Sequence, residues 1–509
     1  MRCSCDRSVC VSTTNDGPLM RDGGATSAEE RLRELRARLR SGGIERIDLV
    51  AIEEQVGAAL NEIGREILAD VFARADVDDA EININRTLHS RVDRHKAAIH
   101  TMFGVVEVER TTYRVDRKSP VVSAFDKALG IVEGFYTPKV ARLTSRLQAL
   151  LVREDAATLL REFGGVAVSA ATQHRLPQAI MARYETRRDE IERRVREKQV
   201  IPAEAAIMQV GLDGVMVPQE GEHAKPRGRE PAGGTGEPAP ARHERSYGVL
   251  ALGPAATDSA EGRAWHEASV GTVAFFDRDG VHLKTTYLGR MPEERKVTLG
   301  QMLGLEVQQA LAQRPDLRVV LASDGAPAQW VTLAEIRAQL PEDTRAAAVE
   351  LLDFFHAAEH LQDACDAIAG AETPEAKLMR VSWCETLKLF DNGVDRVLQA
   401  LRYQRRNSKT AKVQSGITKV IEYLTAYRNR MNYKAALDEN LPIATGPTEA
   451  AAKSLVGVRM KRSGARFSQH GGQTVLTLLA AHKSERFESL FDVMVDTYSA
   501  RVTRLVNAA

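Results

Sequence analysis

Long apolar runs are missing from this sequence. No uninterrupted apolar stretch approaches the roughly 18 residues that a membrane-spanning helix needs. Residues 1–14 also lack the apolar centre of a secretory signal peptide. We therefore expect a cytoplasmic protein without a membrane partner.

The chain also has almost no net charge, because 70 Lys and Arg residues are balanced by 69 Asp and Glu residues. Overall charge therefore does not indicate a polyanionic partner, and any basic surface must be local.

Cysteine is scarce, and three of the five cysteines lie within the first ten residues. A zinc site there would need a fourth ligand, and no histidine is close in sequence. We expect residues 1–26 to form a disordered tail. Cys365 and Cys384 lie in helical patterns and are expected to be buried thiols.

At 509 residues the chain is too long for one core, and about three or four units are expected. Apolar spacing predicts helices before residue 76, and the β-branched stretch Met102–Val115 predicts a strand or hairpin. A later helix pair is interrupted at Gly164-Gly165, with Ser169 as an N-cap. This outline matches a DNA-binding helix-turn-helix, although many other helix pairs share it.

The middle of the chain alternates between strands and helices. A strand around Asp213 precedes two strands joined by a turn at Asp277–Gly280, and a helix, a strand, a helix and a strand follow. The order βββαβαβ predicts a mixed sheet flanked by helices within a multidomain α+β protein. The predicted segments are a tail at 1–26, helices plus a β-hairpin at 27–120, a helical region at 121–200, a mixed-sheet core at 201–356 with a flexible insertion at 219–245, an all-helical insertion at 357–441, the last part of the core at 442–485 and a C-terminal helix at 486–509.

Two aspartates stand on predicted strands of this sheet. Asp213 interrupts the apolar run "MQVGLDGVMVP", and Asp324 follows the strand "LRVVLAS". A buried carboxylate needs a partner, a turn or a metal ion. Each aspartate precedes a glycine, so an Asp-Gly turn is the alternative interpretation of both.

Glu449 supplies a third carboxylate, at the start of the predicted helix "EAAAKSLVGVRMKRSGARF". Two strand aspartates and one helix glutamate offer hard oxygen ligands for two Mg²⁺ ions. Such a pair of ions promotes phosphodiester displacement. Basic residues that follow Glu449 favour contact with a phosphate backbone: Lys453, Arg459, Lys461, Arg462 and Arg466.

Several motifs together resemble the ISKra family of bacterial insertion-sequence transposases. They are "GLDGVMVP", "GTVAFFDRDG", "RMPE", "ASDGA", "LLDFFHAAEHL" and "RMKRSGARF", and the resemblance covers roughly residues 209–487. It implies a ribonuclease H-like catalytic core that is interrupted by the all-helical insertion and preceded by a helical DNA-binding region. Asp213, Asp324 and Glu449 would then be the DDE triad, with Asp353 and His356 as accessory residues.

The resemblance further implies metal-dependent cleavage and strand transfer at the ends of the element. Mg²⁺ would be the cofactor, with Mn²⁺ as a substitute. Double-stranded DNA, both element ends and target, would be the partner. A nucleoid-associated homodimer or larger assembly would bring two ends together.

Two other interpretations remain open. The sequence "HAAEH" from His356 to His360 fits the inverted zinc-peptidase signature, although no third zinc ligand is apparent. A catalytically decayed relative that still binds DNA would retain the fold without the chemistry.

Overall fold

The computed structural model describes residues 28–41, 48–164, 166, 168–220, 263–462, 465 and 467–505. The predicted tail at 1–26 lies outside these residues. So does most of the predicted insertion at 219–245; its first two residues, Gln219 and Glu220, belong to a strand instead.

The described N-terminal part contains two helices followed by a sheet. The helices are α1 (Ala28–Ser41) and α2 (Leu49–Ala75), and the strands are β1 (Glu81–Ile84), β2 (Thr87–Thr101), β3 (Gly104–Arg114) and β4 (Val122–Ser123). The stretch Met102–Val115, predicted as a strand or hairpin, contains the single strand β3, which forms a hairpin with β2. Its inner residues pack against Phe72 of α2, which covers one face of the sheet.

A group of helices follows the sheet, as predicted. These are α3 (Ala124–Leu129), α4 (Pro138–Leu150), α5 (Arg153–Gly164), α6 (Ala170–Thr186) and α7 (Arg188–Glu197). The predicted break separates α5 from α6, and the Ser169 side chain accepts a hydrogen bond from the Thr172 N–H. The second helix is longer than the sequence pattern indicated, because Pro177 lies within it without ending it.

The predicted βββαβαβ order is present in the middle of the chain. Its elements are β5 (Ile207–Glu220), β6 (Arg263–Phe276), β7 (His282–Arg290), α8 (Val297–Gln313), β8 (Arg318–Ser323), α9 (Pro327–Ala338), α10 (Glu342–Ala347) and β9 (Val349–Leu352). They form one mixed sheet of order β7-β6-β5-β8-β9. Each of the first three strands pairs antiparallel with the next one, whereas β8 and β9 run parallel to β5.

Strand β5 lies at the centre of this sheet and is covered on both faces. Val210 and Leu212 pack against α8 and α9 on one face. Val217 faces a second cluster on the other, formed largely by helices near the C-terminus. Because side chains alternate along a strand, residues 211, 213 and 215 share the face of Val217.

The segment after β9 is helical, as predicted for 357–441. Its helices are α11 (Phe354–Ala369), α12 (Pro374–Leu389), α13 (Gly393–Asn407), α14 (Ala411–Ala426) and α15 (Tyr433–Asp438). They enclose their own core, in which Cys365 is buried and Cys384 is partly buried. Burial raises the pKa of the Cys365 thiol to about 12, as expected for a thiol that packs rather than reacts.

The last helices return to the central sheet. Helix α16 (Gly446–Ala451) continues through a π-helical turn at Ala452–Gly457 into α17 (Val458–Met460), and α18 (Gln469–Lys483) and α19 (Phe487–Asp496) follow. The C-terminal helix predicted at 486–509 is shorter than expected, because α19 ends at Asp496. Strand β10 (Val502–Arg504) then pairs with β1 and completes the N-terminal sheet.

Among the described residues, no helix has both the length and the apolar character needed to cross a membrane.

Candidate active site

Asp213 lies within an unbroken strand. Strand β5 pairs with β6 along its whole length, and Asp213 stands opposite Val270. The alternative of an Asp-Gly turn at this position is therefore excluded. Its Oδ1 accepts a hydrogen bond from the Gly214 N–H at 2.6 Å, and the side chain forms no salt bridge with any described residue.

Asp324 follows the carboxyl end of β8, in the turn that leads to α9. Its Oδ1 accepts a hydrogen bond from the Ala326 N–H at 3.0 Å. Gly325 takes a φ of 100°, a left-handed conformation that favours glycine. For Asp324, therefore, the turn interpretation and the functional one are compatible.

The two aspartates lie side by side. Leu212 pairs with Ser323 at the last parallel position of β5 and β8, so Asp213 and Asp324 are the residues that follow this pair in the two neighbouring chain segments. The pKa of Asp213 is raised to about 6, mainly by burial and then by the negative charges of Asp324 and Glu267, against the lowering effects of the Gly214 hydrogen bond and of Lys296. Neither carboxylate forms a salt bridge within the described residues, so the two repel each other, and a divalent cation would relieve that repulsion.

Glu449 lies in the first turn of α16, a helix on the same face of the sheet as Asp213. Gln209, two positions before Gly211, donates its side-chain N–H to the Ala444 carbonyl at 3.0 Å. At Gly211 an added Cβ would lie only 2.0 Å from the Thr448 Oγ1, so the absence of a side chain there lets α16 approach the strand. Thr448 also hydrogen-bonds Thr272 at 2.6 Å, which fixes the start of α16 on β6.

The carboxylate of Glu449 does not join the aspartate pair in this conformation. It lies 2.5 Å from the Lys453 ammonium, and both side chains are exposed. Within the described residues, no three His, Cys, Asp or Glu side chains are grouped closely enough to hold a metal ion. The structure thus brings two of the three predicted carboxylates together and places the third on an adjacent helix.

Asp353 connects this helix to the end of the sheet. The sequence pattern placed it in a strand, whereas it caps α11, where its Oδ1 accepts from the His356 N–H at 2.8 Å. Its Oδ2 accepts from the Thr445 hydroxyl at 2.6 Å and from the Thr445 N–H. A buried carboxylate with three donors therefore holds the loop that precedes α16.

The two histidines of the "HAAEH" sequence lie on one face of α11. Their ring centroids are 5.1 Å apart, and the His360 ring packs on Tyr423 with centroids 3.8 Å apart. The His356 Nδ1 lies 3.4 Å from Glu359, and burial lowers the pKa of His360. These contacts give the histidines a packing role beside Asp324, because the Tyr423 hydroxyl donates to the Asp324 carbonyl at 3.0 Å.

The predicted DNA-contacting residues separate into different environments. Lys461 and Arg462 are exposed at the end of α17, and Lys453 is exposed beside Glu449. Arg459 differs from the prediction, because it is buried and donates to the carbonyls of Gln148, Ala149 and Leu151. In this conformation it holds the end of α4 and is not available to a phosphate. Arg466 lies outside the described residues.

Some residues around the pair were not identified from the sequence. Gln329 is buried and, with its amide oriented to suit its neighbours, donates to the Leu212 carbonyl and to the Asp324 carboxylate at 3.0 and 2.8 Å. Lys296 is buried on the opposite face, where its ammonium donates to Glu267 and to the Ser269 Oγ at 2.7 Å. Arg295 and Lys296 have φ values of 51° and 55°, an unfavourable conformation for side-chain-bearing residues. The burial of Lys296 could not be predicted from the sequence, because its neighbours along the chain are also charged and such segments are usually exposed.

Comparison with known proteins adds no assignment. No protein-family model matches the chain, and no curated protein matches it.

Proposed function

We propose that this protein is a metal-dependent DNA transposase of the DDE type, with a ribonuclease H-like core. The observation that carries the proposal is the pair Asp213 and Asp324, two carboxylates that meet at one edge of neighbouring central strands and form no salt bridge within the described residues. Strands seldom retain such a pair for stability alone, because burial raises the pKa of Asp213, so that its ionised form opposes folding.

The order of elements supports the proposed core. Three consecutive antiparallel strands are followed by two parallel strands, each reached through helices. Asp213 lies on the first strand and Asp324 follows the fourth, which is the placement that the resemblance to DDE transposases implies. The helical segment from α11 to α15 then separates both aspartates from Glu449 in the sequence.

The donor set fits Mg²⁺ or Mn²⁺. Both aspartates offer hard carboxylate oxygens, and at neutral pH Asp213 is largely ionised with its pKa near 6. Bound divalent ions would activate the attacking oxygen and stabilise the leaving oxygen of a phosphodiester. Asp213 and Asp324 would hold these ions, and Gln329 would orient the Asp324 carboxylate by its hydrogen bond.

Glu449 would complete the second metal site. This role requires its carboxylate to exchange the Lys453 ammonium for the metal. Asp353 would assist by fixing Thr445, four residues before Glu449. The adjoining π-helical turn at Ala452–Gly457 is a kind of irregularity that often occurs at functional sites.

The remaining parts would bind DNA. Helices α5 and α6 would recognise the element ends, and Lys461 and Arg462 would contact phosphates near the carboxylates. Water would first free a 3′-hydroxyl at the element end, and that hydroxyl would then attack the target strand. Because two ends must be joined, at least a dimer is expected in the active complex.

A cleavage assay tests this function. Labelled duplex carrying the element's own ends is incubated with Mg²⁺ or EDTA and with wild type, Asp213→Asn or Asp324→Asn. We expect Mg²⁺-dependent nicking that falls at least about 100-fold in both variants, equivalent to about 2.7 kcal/mol of transition-state stabilisation.

Asp316→Asn is the matched control, since Asp316 precedes β8 at the opposite end from Asp324 and is exposed beside Arg314. This control should nick like wild type. Retained DNA binding with no nicking by the wild type would favour the decayed, binding-only alternative. Equal nicking by the Asp213→Asn variant would remove the assignment of the site.

A further inference from the structure

The helical insertion contains a group of basic residues without acidic partners. Residues 401–434 include nine Lys and Arg and only one acid, Glu422. Three of the nine are paired: Arg428 with Asp395, Arg430 with Glu350, and Lys434 with Asp438. The other six form no salt bridge with any described residue: Arg402, Arg405, Arg406, Lys409, Lys412 and Lys419.

Five of these six residues gather at one end of a helical hairpin, and Lys419 lies halfway along its second helix. Helices α13 and α14 are joined by only three residues, Ser408–Thr410, and their inner faces share one apolar core. A short connection of this kind makes the two helices antiparallel neighbours. At 1.5 Å per residue, Arg402 is about 8 Å from the connection, and Lys412 is in the first turn after it. We call this end of the hairpin, from Arg402 to Lys412, the basic tip.

The charges at the basic tip are unfavourable in the protein alone. Like charges repel, and basic residues that only keep a helix soluble are usually mixed with acidic ones. Helix α14 has no acidic residue in its first turn, and Thr410 forms no side-chain capping hydrogen bond. Lys412 therefore adds positive charge to the positive end of a helix dipole. A polyanion would neutralise all of these charges together.

The other end of α14 is fixed beside the candidate active site. Tyr423 donates to the Asp324 carbonyl, and Tyr427 donates to the Gly325 carbonyl. Lys412 precedes Tyr423 by eleven residues, which corresponds to about 16 Å along the helix. At about 3.4 Å per base pair this length spans about five base pairs. Helix α14 thus acts as a rigid arm between the carboxylate pair and the basic tip.

We propose that the basic tip binds the phosphate backbone of duplex DNA about five base pairs from the cleavage point. The choice of DNA rests on the proposed function, whereas the anionic nature of the partner rests on the unpaired charges alone. Arg402, Arg406, Lys409 and Lys412 carry most of the binding, because all four are exposed.

The test measures binding of a 30-base-pair duplex of unrelated sequence in EDTA, so that cleavage plays no part. Wild type is compared with a variant in which Arg402, Arg406, Lys409 and Lys412 are all changed to Gln. Each phosphate contact contributes about 0.9 to the slope of log affinity against log salt concentration. The slope of the variant should therefore be smaller than that of wild type by up to about 3.6. Its affinity at low salt should be at least about tenfold weaker.

A matched control removes the same charge from residues that are paired with acids and at least partly exposed: Arg187, Arg193, Lys377 and Arg428. This control should retain nearly the wild-type slope. If the fourfold tip variant fails to fold, the single variant Lys409→Gln in the connection replaces it, and its slope should be smaller than that of wild type by about 0.9.

A tip variant that binds DNA with the wild-type slope overturns the proposal, as does a wild type that binds no duplex. Tighter, tip-dependent binding of an RNA duplex of the same length overturns the choice of DNA. The outcome is independent of the cleavage assay. If Asp213→Asn loses nicking while the tip variant binds DNA with the wild-type slope, the transposase proposal stands and the proposal for the basic tip is wrong.

Discussion

At the scale of single residues, Asp213 shows how the sequence and the structure relate. A lone carboxylate in an apolar strand could be recognised from the sequence, because burial without a partner is costly. Its neighbour Asp324 was also predictable, since the residues that follow parallel strands meet at one edge of a sheet. The direction of the Glu449 side chain was not predictable, because contacts across the fold decide whether its carboxylate faces Lys453 or the two aspartates.

Asp213 should make the stability of the protein depend on pH. Its pKa is raised to about 6 from the usual 3.8, so the folded chain releases this proton at a higher pH than the unfolded chain. Ionised Asp213 therefore opposes folding above about pH 6, and the penalty disappears below pH 4. In EDTA, the unfolding free energy of Asp213→Asn relative to that of wild type should rise by about 1–2 kcal/mol from pH 4 to pH 7.5, allowing for partial solvation.

Urea unfolding at several pH values measures this difference. Asp316→Asn provides the contrast, because a hydrogen bond from Arg314 lowers the pKa of Asp316 to about 2. Asp316→Asn should therefore become less stable than wild type as the pH rises. A stability difference for Asp213→Asn that does not change with pH would contradict the burial of its carboxylate.

At the scale of elements, the strands and helices of the central sheet were predictable from local patterns. Their order follows from apolar periodicity and turn residues, which act within a few positions of each other. Arg459 shows the limit of such patterns. It lies in a basic run, yet helical phase turns it inward with Leu455 and Met460. A count of charges cannot show which member of the run is buried.

The contact between β5 and α16 should be sensitive to one methyl group. Gly211→Ala places a Cβ about 2.0 Å from the Thr448 Oγ1, so either the Thr448 side chain or α16 must shift. We expect a loss of about 1–3 kcal/mol of unfolding free energy. In a Thr448→Ala background the same change should cost less, because the clashing oxygen is gone. A double-mutant cycle should give a coupling of about 1 kcal/mol or more, and strictly additive losses would contradict this packing.

At the scale of the whole molecule, an early and a late strand of the described chain meet in one sheet. Val502 and Arg504 of β10 pair with Ile84 and Ile82 of β1. The sequence could not show this pairing, because a strand of three residues has too few positions to display a period. Its partner also lies more than 400 residues earlier, beyond the reach of any local pattern.

A chain that ends at Ala500 should loosen the N-terminal sheet. It loses β10 together with the hydrogen bond from the Asn85 N–H to the Arg501 carbonyl. Hydrogen exchange measured by mass spectrometry should then become at least about tenfold faster in residues 81–85, because β1 becomes an edge strand. Exchange in β8 should not change. Unchanged protection of β1 would show that β10 does not stabilise the sheet.

Mn²⁺ binding, followed by electron paramagnetic resonance, tests most directly whether Asp213 and Asp324 form a divalent-metal site. We expect wild type and Asp316→Asn to bind Mn²⁺ equally, and Asp213→Asn to bind at least about tenfold more weakly, equivalent to about 1.4 kcal/mol. Equal binding by wild type and Asp213→Asn, or no binding by wild type, would contradict the proposed metal site.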